Sequence, residues 1–221
     1  MHSKPRRQTL KTLAASTLLG AAGLSGVIRA AMANGNRPLA PGVYKVSGQV
    51  SINGVAAQPG MRVGNGDTIV TAGGGQIIYV IGQDAFLQRE NSTVSFSGTA
   101  AEVMRIVSGK ILSVFGKGHK TLETATATIG IRGTGCYIET EATRVYFCLC
   151  YGTADLPPAA DPGHTERIQT KHHDHPLYIY RDSSMPSMVD ASVINHSDAE
   201  LELLEGLVGR SPPFSAGTYR Y

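Results

Sequence analysis

The sequence predicts an all-β fold, with short strands in a sandwich or a short solenoid-like roll and one helix near the C-terminus. Three observations carry that prediction. Turn residues recur between Gly42 and Leu156 at intervals of roughly 8 to 12 positions, the spacing of small β domains. The segments between them are rich in Val, Ile, Thr, Tyr and Phe, side chains that pack well on a pleated surface. Helical spacing of apolar residues begins only after Ser197.

Taken in order, Gln49 to Ile52 meets Asn53-Gly54, and Val55 to Ala57 returns as a hairpin, because Asn and Gly tolerate the left-handed backbone of a two-residue turn. Pro59-Gly60 and Gly64-Asn65-Gly66-Asp67 are further turns. Thr68 to Thr71 is a strand ended by Gly73-Gly74-Gly75, and Gln76 to Ile81 is another, ended by Gly82-Gln83-Asp84. Ala85 to Gln88 and Thr93 to Phe96 are split by Glu90-Asn91-Ser92. Val103 to Val107 and Lys110 to Phe115 flank a turn at Ser108-Gly109, and Gly116 to His119 is a bend. Ala127 to Ile131 leads through Arg132-Gly133-Thr134-Gly135 into a hairpin of two β-branched, aromatic segments, which ends at Tyr151-Gly152. Leu156 to Gly163 is Pro-rich and reads as a surface loop. Glu166 to Thr170 and Pro176 to Arg181 read as one more hairpin, joined by Lys171-His172-His173-Asp174-His175. Ser197-Asp198-Ala199-Glu200 is a capping box, followed at helical spacing by Leu201, Leu204 and Leu207, with Gly209 as the stop. That helix is expected to cover a sheet edge or the mouth of a barrel.

The formal charge of +3 over 221 residues is misleading. Lys4, Arg6, Arg7, Lys11 and Arg29 lie in the first 33 residues, which hold no acid. Residues 34–221 keep 15 basic against 17 acidic side chains, a net −2. Such a balance argues against nucleic acid as a partner. Arg6-Arg7-Gln8-Thr9-Leu10-Lys11 matches the twin-arginine export pattern, except that Thr9 stands where a large apolar residue is more usual. The apolar run Leu13 to Ile28 follows, and Ala31-Met32-Ala33 fits an A-x-A cleavage signal. Residues 1–33 are therefore expected to be a leader, the mature protein periplasmic, and no stable membrane span to remain after cleavage. The run is short and Ala/Gly-rich, with Arg29 close behind it, which suits a membrane anchor poorly.

All three cysteines fall in the long hairpin. Cys148 and Cys150 are two apart in a strand and share a face. The face of Cys136 depends on register. A two-residue turn at Ala142-Thr143 sets it opposite Leu149, away from the other two, whereas a three-residue turn puts all three sulfurs together. Three outcomes stay open: one disulfide and a leftover thiol, as an oxidising compartment favours; simple buried thiols; or a metal or haem site. The last would join Cys136, Cys148 and Cys150 to an imidazole of His172, His173 or His175, a set suited to zinc or a similar transition metal. The Cys-x-x-Cys-His pattern of covalent haem attachment is missing. His196, beside the capping Ser197, reads as a local hydrogen-bonding residue. No Gly-x-Ser-x-Gly elbow, His-Glu-x-x-His helix or phosphate-cradling loop occurs, so no enzyme is expected. Arg132-Gly133-Thr134-Gly135 reads as a close backbone crossing that excludes a Cβ, rather than as an anion grip.

Several segments, in order, resemble the FecR domain family, named after the periplasmic ferric-citrate sensor. They are Gly48-x-Val50-x-Ile52-x-Gly54, Pro59-Gly60-Met61-Arg62-Val63, Gly66-Asp67-Thr68-Ile69-x-Thr71, Ala127 to Thr134, and Tyr151 to Leu156 where the family ends in a Gly-x-Val-x-Val strand. The likeness covers residues 42–156 and leaves 161–221 as a C-terminal extension. It implies an all-β, non-enzymatic periplasmic module for sensing, ligand binding or interaction with a protein partner. Full sensors of that family place a cytoplasmic anti-sigma region and one membrane span before this domain. Only about ten residues precede the apolar run here, so the expectation is the module without the transmembrane relay.

Overall fold

A computed structural model describes residues 38–99, 102–157, 163, 165–182 and 186–214. The leader assigned to residues 1–33 lies outside them, as does much of the Pro-rich loop. Among the described residues no helix is long and apolar enough to cross a membrane. The fold is all-β with one C-terminal helix. Its strands are β1 (Gly42–Ser47), β2 (Val50–Ile52), β3 (Val55–Ala56), β4 (Thr68–Thr71), β5 (Gln76–Ile81), β6 (Asp84–Gln88) and β7 (Ser92–Ser97). There follow β8 (Val103–Val114), β9 (His119–Glu123), β10 (Thr128–Thr140), β11 (Arg144–Leu156), β12 (Glu166–Thr170), β13 (Pro176–Tyr180), β14 (Met188–Asp190) and the helix α1 (Asp198–Leu207).

All the strands join in one hydrogen-bonded sheet. Its three long members each change partner along their length. β8 pairs with β7 through Val103 to Ser108, then with β6 and β10 through Ile111 to Val114. β10 pairs with β9 before Gly133 and with β8 after it. This change of partners curls the sheet. Alternate side chains of the central strands therefore reach two separate cores. In β5, Ile77, Tyr79 and Ile81 enter the inner core, while Ile78 and Val80 enter the outer one. Burial on both faces explains why that strand is apolar throughout rather than alternating. The inner core holds an aromatic group in which Tyr79 stacks on Phe86 at 5.0 Å and Phe86 meets Phe96 and Phe115 edge-on at 5.2 and 5.7 Å.

Three local expectations need correcting. First, Ser108-Gly109 does not break the chain into two strands. β8 runs through it, with a bulge where Thr93 faces Ser108 but Val94 faces Ile106. Gly109 has φ +88°, and a Cβ there would lie 2.4 Å from Ser92 Cα. Glycine is required by contact and by conformation, not by a turn. Second, β12 and β13 do not form a hairpin. Both pair antiparallel with β11, β12 along Gly152 to Leu156 and β13 along Arg144 to Cys148, so they form one lane interrupted by residues 171–175. Third, α1 covers neither an edge nor a mouth. It packs on β6 and β8, where Leu201, Leu203, Leu204 and Leu207 close the outer core over Leu87, Leu112 and Val114. Burying each leucine contributes about 1.5–3 kcal/mol, which far outweighs anything an isolated ten-residue helix gains by itself.

The capping box forms as expected, with the Glu200 carboxylate accepting from the Ser197 amide at 3.0 Å. The same carboxylate pairs with Arg89 at 2.8 Å, tying the start of the helix to the end of β6. At the other end Glu205 accepts from Tyr151 and from Arg210, the latter at 2.6 Å. The backbone crossing expected at residues 132–135 is real, but its glycines divide the work differently. Gly152 is the residue that lies against the Gly133 carbonyl, while Gly135 leaves room for the ring of Tyr151.

Candidate metal centre

The β10–β11 turn settles the faces of the cysteines. Glu141 N donates to Arg144 O at 3.0 Å, which closes the two-residue turn and sets Cys136 opposite Leu149 and Tyr137 opposite Cys148. Cys136 accordingly lies in the inner core with Ile138 and Leu149, and Cys148 and Cys150 lie in the outer one. The sheet separates the first sulfur from the other two, and all three are free thiols.

The interrupted lane beside β11 supplies the first imidazole. With β12 ending at Thr170 and β13 starting at Pro176, residues 171–175 cross in front of the middle of β11. Thr170 Oγ1 donates to Leu149 O at 2.7 Å, and His173 N donates to Cys150 O at 2.9 Å. Asp174 accepts from Lys171 N at 2.8 Å and shapes the crossing, and His173 takes a left-handed φ of +54°. These contacts press the His173 ring inward, leave His172 at the rim and turn His175 to solvent.

The second imidazole is His196, which the sequence suggests only as a local hydrogen-bonding residue. It does bond locally, with Nδ1 2.6 Å from Ile194 O, yet its ring also stacks on Tyr137 at 4.7 Å. That leaves Nε2 aimed at His173. Asn195, with φ +54°, makes the turn that presents it and is anchored by Glu139 at 2.7 Å. No sequence signal links His196 to the cysteines. The link exists because the segment before α1 returns across Tyr137.

One ligand atom from each of Cys148, Cys150, His173 and His196 lies within 4.8 Å of the others, and all four residues are buried. Cys148 Sγ is 3.4 Å from His173 Nδ1, and His173 Nδ1 is 3.1 Å from His196 Nε2. Tetrahedral zinc, with bonds of about 2.05 Å to nitrogen and about 2.3 Å to sulfur, has edges of about 3.6 Å for S–N and about 3.3 Å for N–N. The observed separations match within a few tenths of an ångström.

The proton inventory points the same way. A carbonyl only accepts, so the Ile194 contact places the His196 proton on Nδ1 and a lone pair on Nε2. The Asp198 carboxylate, 3.2 Å from His173 Nε2, likewise places that ring's proton on Nε2 and a lone pair on Nδ1. Two imidazole lone pairs thus face one point, beside two sulfurs. A metal cation, or protons shared between the sulfurs and the rings, satisfies such a set. Hydrogen bonding with Cys150, reinforced by His173 and His196, favours the Cys148 thiolate against the opposing effect of burial and holds its pKa well below the ordinary thiol value. Burial, with Cys148 beside it, pushes Cys150 the other way. Burial also raises Cys136, on the far side of the sheet.

Outside the four ligands, Asp198 Oδ1 and Oδ2 are 2.9 and 3.0 Å from His172 Nε2. A carboxylate holding the far nitrogen of a ligating histidine is the usual outer support of a metal site. Of the residues proposed from sequence, the structure brings together Cys148, Cys150 and His173, with His172 adjacent. It sends Cys136 through the sheet and His175 to solvent, and it adds His196 and Asp198.

No family model and no curated protein matches the chain. Among solved structures the chain is similar to a candidate anti-sigma factor from Parabacteroides distasonis ATCC 8503, determined at 1.65 and at 2.50 Å. Each match has 8% identity and a TM-score of 0.46 and covers 56% of this chain and 58% of that one. The chain thus spans little more than half of that protein's length, and a likeness of this size carries no functional argument.

Proposed function

We propose that this protein is a non-catalytic module that binds one zinc-like ion through Cys148, Cys150, His173 and His196. One observation carries the reading: four soft-to-borderline ligand atoms, from three separate chain segments, converge within 4.8 Å in a buried site. Four protein ligands complete a tetrahedron and leave no open position for a substrate, which separates such a site from catalytic zinc. The ordered FecR-like segments and the twin-arginine leader support a sensing or interaction role in the periplasm, with the ion as the ligand sensed. There, ligation would also shield the thiols from oxidation.

Elemental analysis of protein purified from the native periplasm tests the reading. About one zinc per chain is expected, lost in Cys148→Ser and in His196→Ala, and cobalt substitution should give thiolate charge-transfer absorption. Metal-free protein, or full metal content in both variants, would overturn the assignment. Changing Arg6 and Arg7 together to Lys should trap the protein in the cytoplasm. Unchanged periplasmic recovery would remove the export claim and leave the metal site standing.

A further inference from the structure

The four ligands are sealed. Cys148 and Cys150 are 0% exposed, and His173 and His196 are 6% exposed. An ion arriving from solvent with its waters must therefore be handed inward. A second group of ligating side chains adjoins the first: His172, His173 and Asp198 offer atoms that also lie within 4.8 Å of one another. His172 is its outermost member, with 10% side-chain exposure and a face stacked on Phe214 at 4.1 Å. His173 belongs to both groups. Its Nδ1 faces Cys148 and His196, and its Nε2 faces Asp198.

Building on the metal-binding reading above, we infer that His172 and Asp198 form an entry site, which captures a hydrated divalent ion and passes it to the buried Cys148, Cys150, His173 and His196 set, while His173 keeps its Nε2 proton toward Asp198. The chemistry of the two groups gives the transfer a direction. One carboxylate and one imidazole hold a borderline ion through harder, more exchangeable ligands, whereas thiolates favour the softer interaction and retain it. Waters leave the ion as protein ligands replace them. Each thiol releases its proton to solvent as its sulfur binds, and no electron moves.

The kinetics of loading separate this role from a merely supporting one. A relay residue speeds entry and exit equally and leaves the equilibrium alone. A residue that only orients His173 changes affinity, and such changes are expressed mainly in the rate of release. The experiment uses the purified full chain, Co²⁺ as the probe followed by its thiolate absorption, and excess EDTA to measure release. In His172→Ala both loading and release should slow by about 10-fold, as one barrier raised in both directions requires, with Kd within about 3-fold. His172→Asp, which restores a ligating group at the rim, should recover most of the loading rate. Unchanged kinetics in His172→Ala, or faster release with normal loading, would overturn the relay and leave the buried site intact. A wild-type chain that takes up no Co²⁺ or Zn²⁺ would instead overturn the metal-binding reading, and this inference with it.

Discussion

Replacing Cys150 by serine separates the contribution of an ion from that of packing. The side chain is fully buried, and serine has nearly its shape, so the metal-free protein pays mainly for placing a hydroxyl in an apolar core, about 1–3 kcal/mol on mutational scales. That cost appears with or without metal. The ion-dependent part is different: a ligand that binds only the folded state adds RT ln(1 + [L]/Kd), about 4 kcal/mol when free ion is 1,000-fold above Kd. For a chain of 221 residues, each kcal/mol moves Tm by about 2–4 °C. The wild-type protein should therefore melt about 8–16 °C higher with Zn²⁺ than with chelator. In Cys150→Ser that gap should shrink to a few degrees, while the chelated proteins differ only by the packing cost. Calorimetric scans of both proteins with buffered zinc and with EDTA give all four values. A zinc-dependent gap of equal size in the variant, or none in wild type, would refute the reasoning.

Other substitutions probe the frame around the site. Gly109→Ala forces a Cβ against the Ser92 backbone at a positive φ; a loss of about 2–4 kcal/mol is expected from strain and lost packing, read as a lower urea midpoint with metal content unchanged. Cys136→Ala should cost about 1 kcal/mol of inner-core packing yet leave the zinc stoichiometry at the wild-type value, since its sulfur lies across the sheet; loss of zinc would contradict the register. Burial raises the pKa of Glu205, so the folded state favours its protonated form. The associated stability is fully present below the ordinary carboxylate value of about 4.3 and is lost as pH rises through the folded pKa. Glu205→Gln should therefore gain stability relative to wild type between pH 4 and pH 7, measured by urea unfolding across that range; a falling difference would show that the Arg210 pair outweighs burial.

Much of the fold was legible because short β elements announce themselves by turn chemistry. Asn53, at φ +51°, and Gly54, at φ +80°, form the hairpin turn their identities demand, and Ser197 to Glu200 cap α1. What stayed hidden involved partners distant in sequence. Gly109 reads as a turn because glycine marks turns and bulges alike, and only the approach of Ser92 distinguishes them. β12 and β13 read as a hairpin because their patterns do not say that β11 is long enough to pair with both. The site divided in the same way. Cys148 and Cys150 were legible from strand periodicity, and the two-residue turn at Ala142-Thr143 was one of two registers that the sequence allowed. His196 and Asp198 were not legible, because their roles depend on a tail that crosses the outer face of the sheet and nothing local records where it lands.

The interrupted lane beside β11 has an evolutionary consequence. Strands on either side of the gap keep their own pairing with β11, so residues 171–175 can be lengthened, shortened or exchanged without shifting the register of any strand. Ligand identity is thereby uncoupled from foldability. Substitutions in five positions could retune the scaffold toward another ion, or erase the site, while both cores stay closed. A lineage carrying this fold would be expected to vary its chemistry there first.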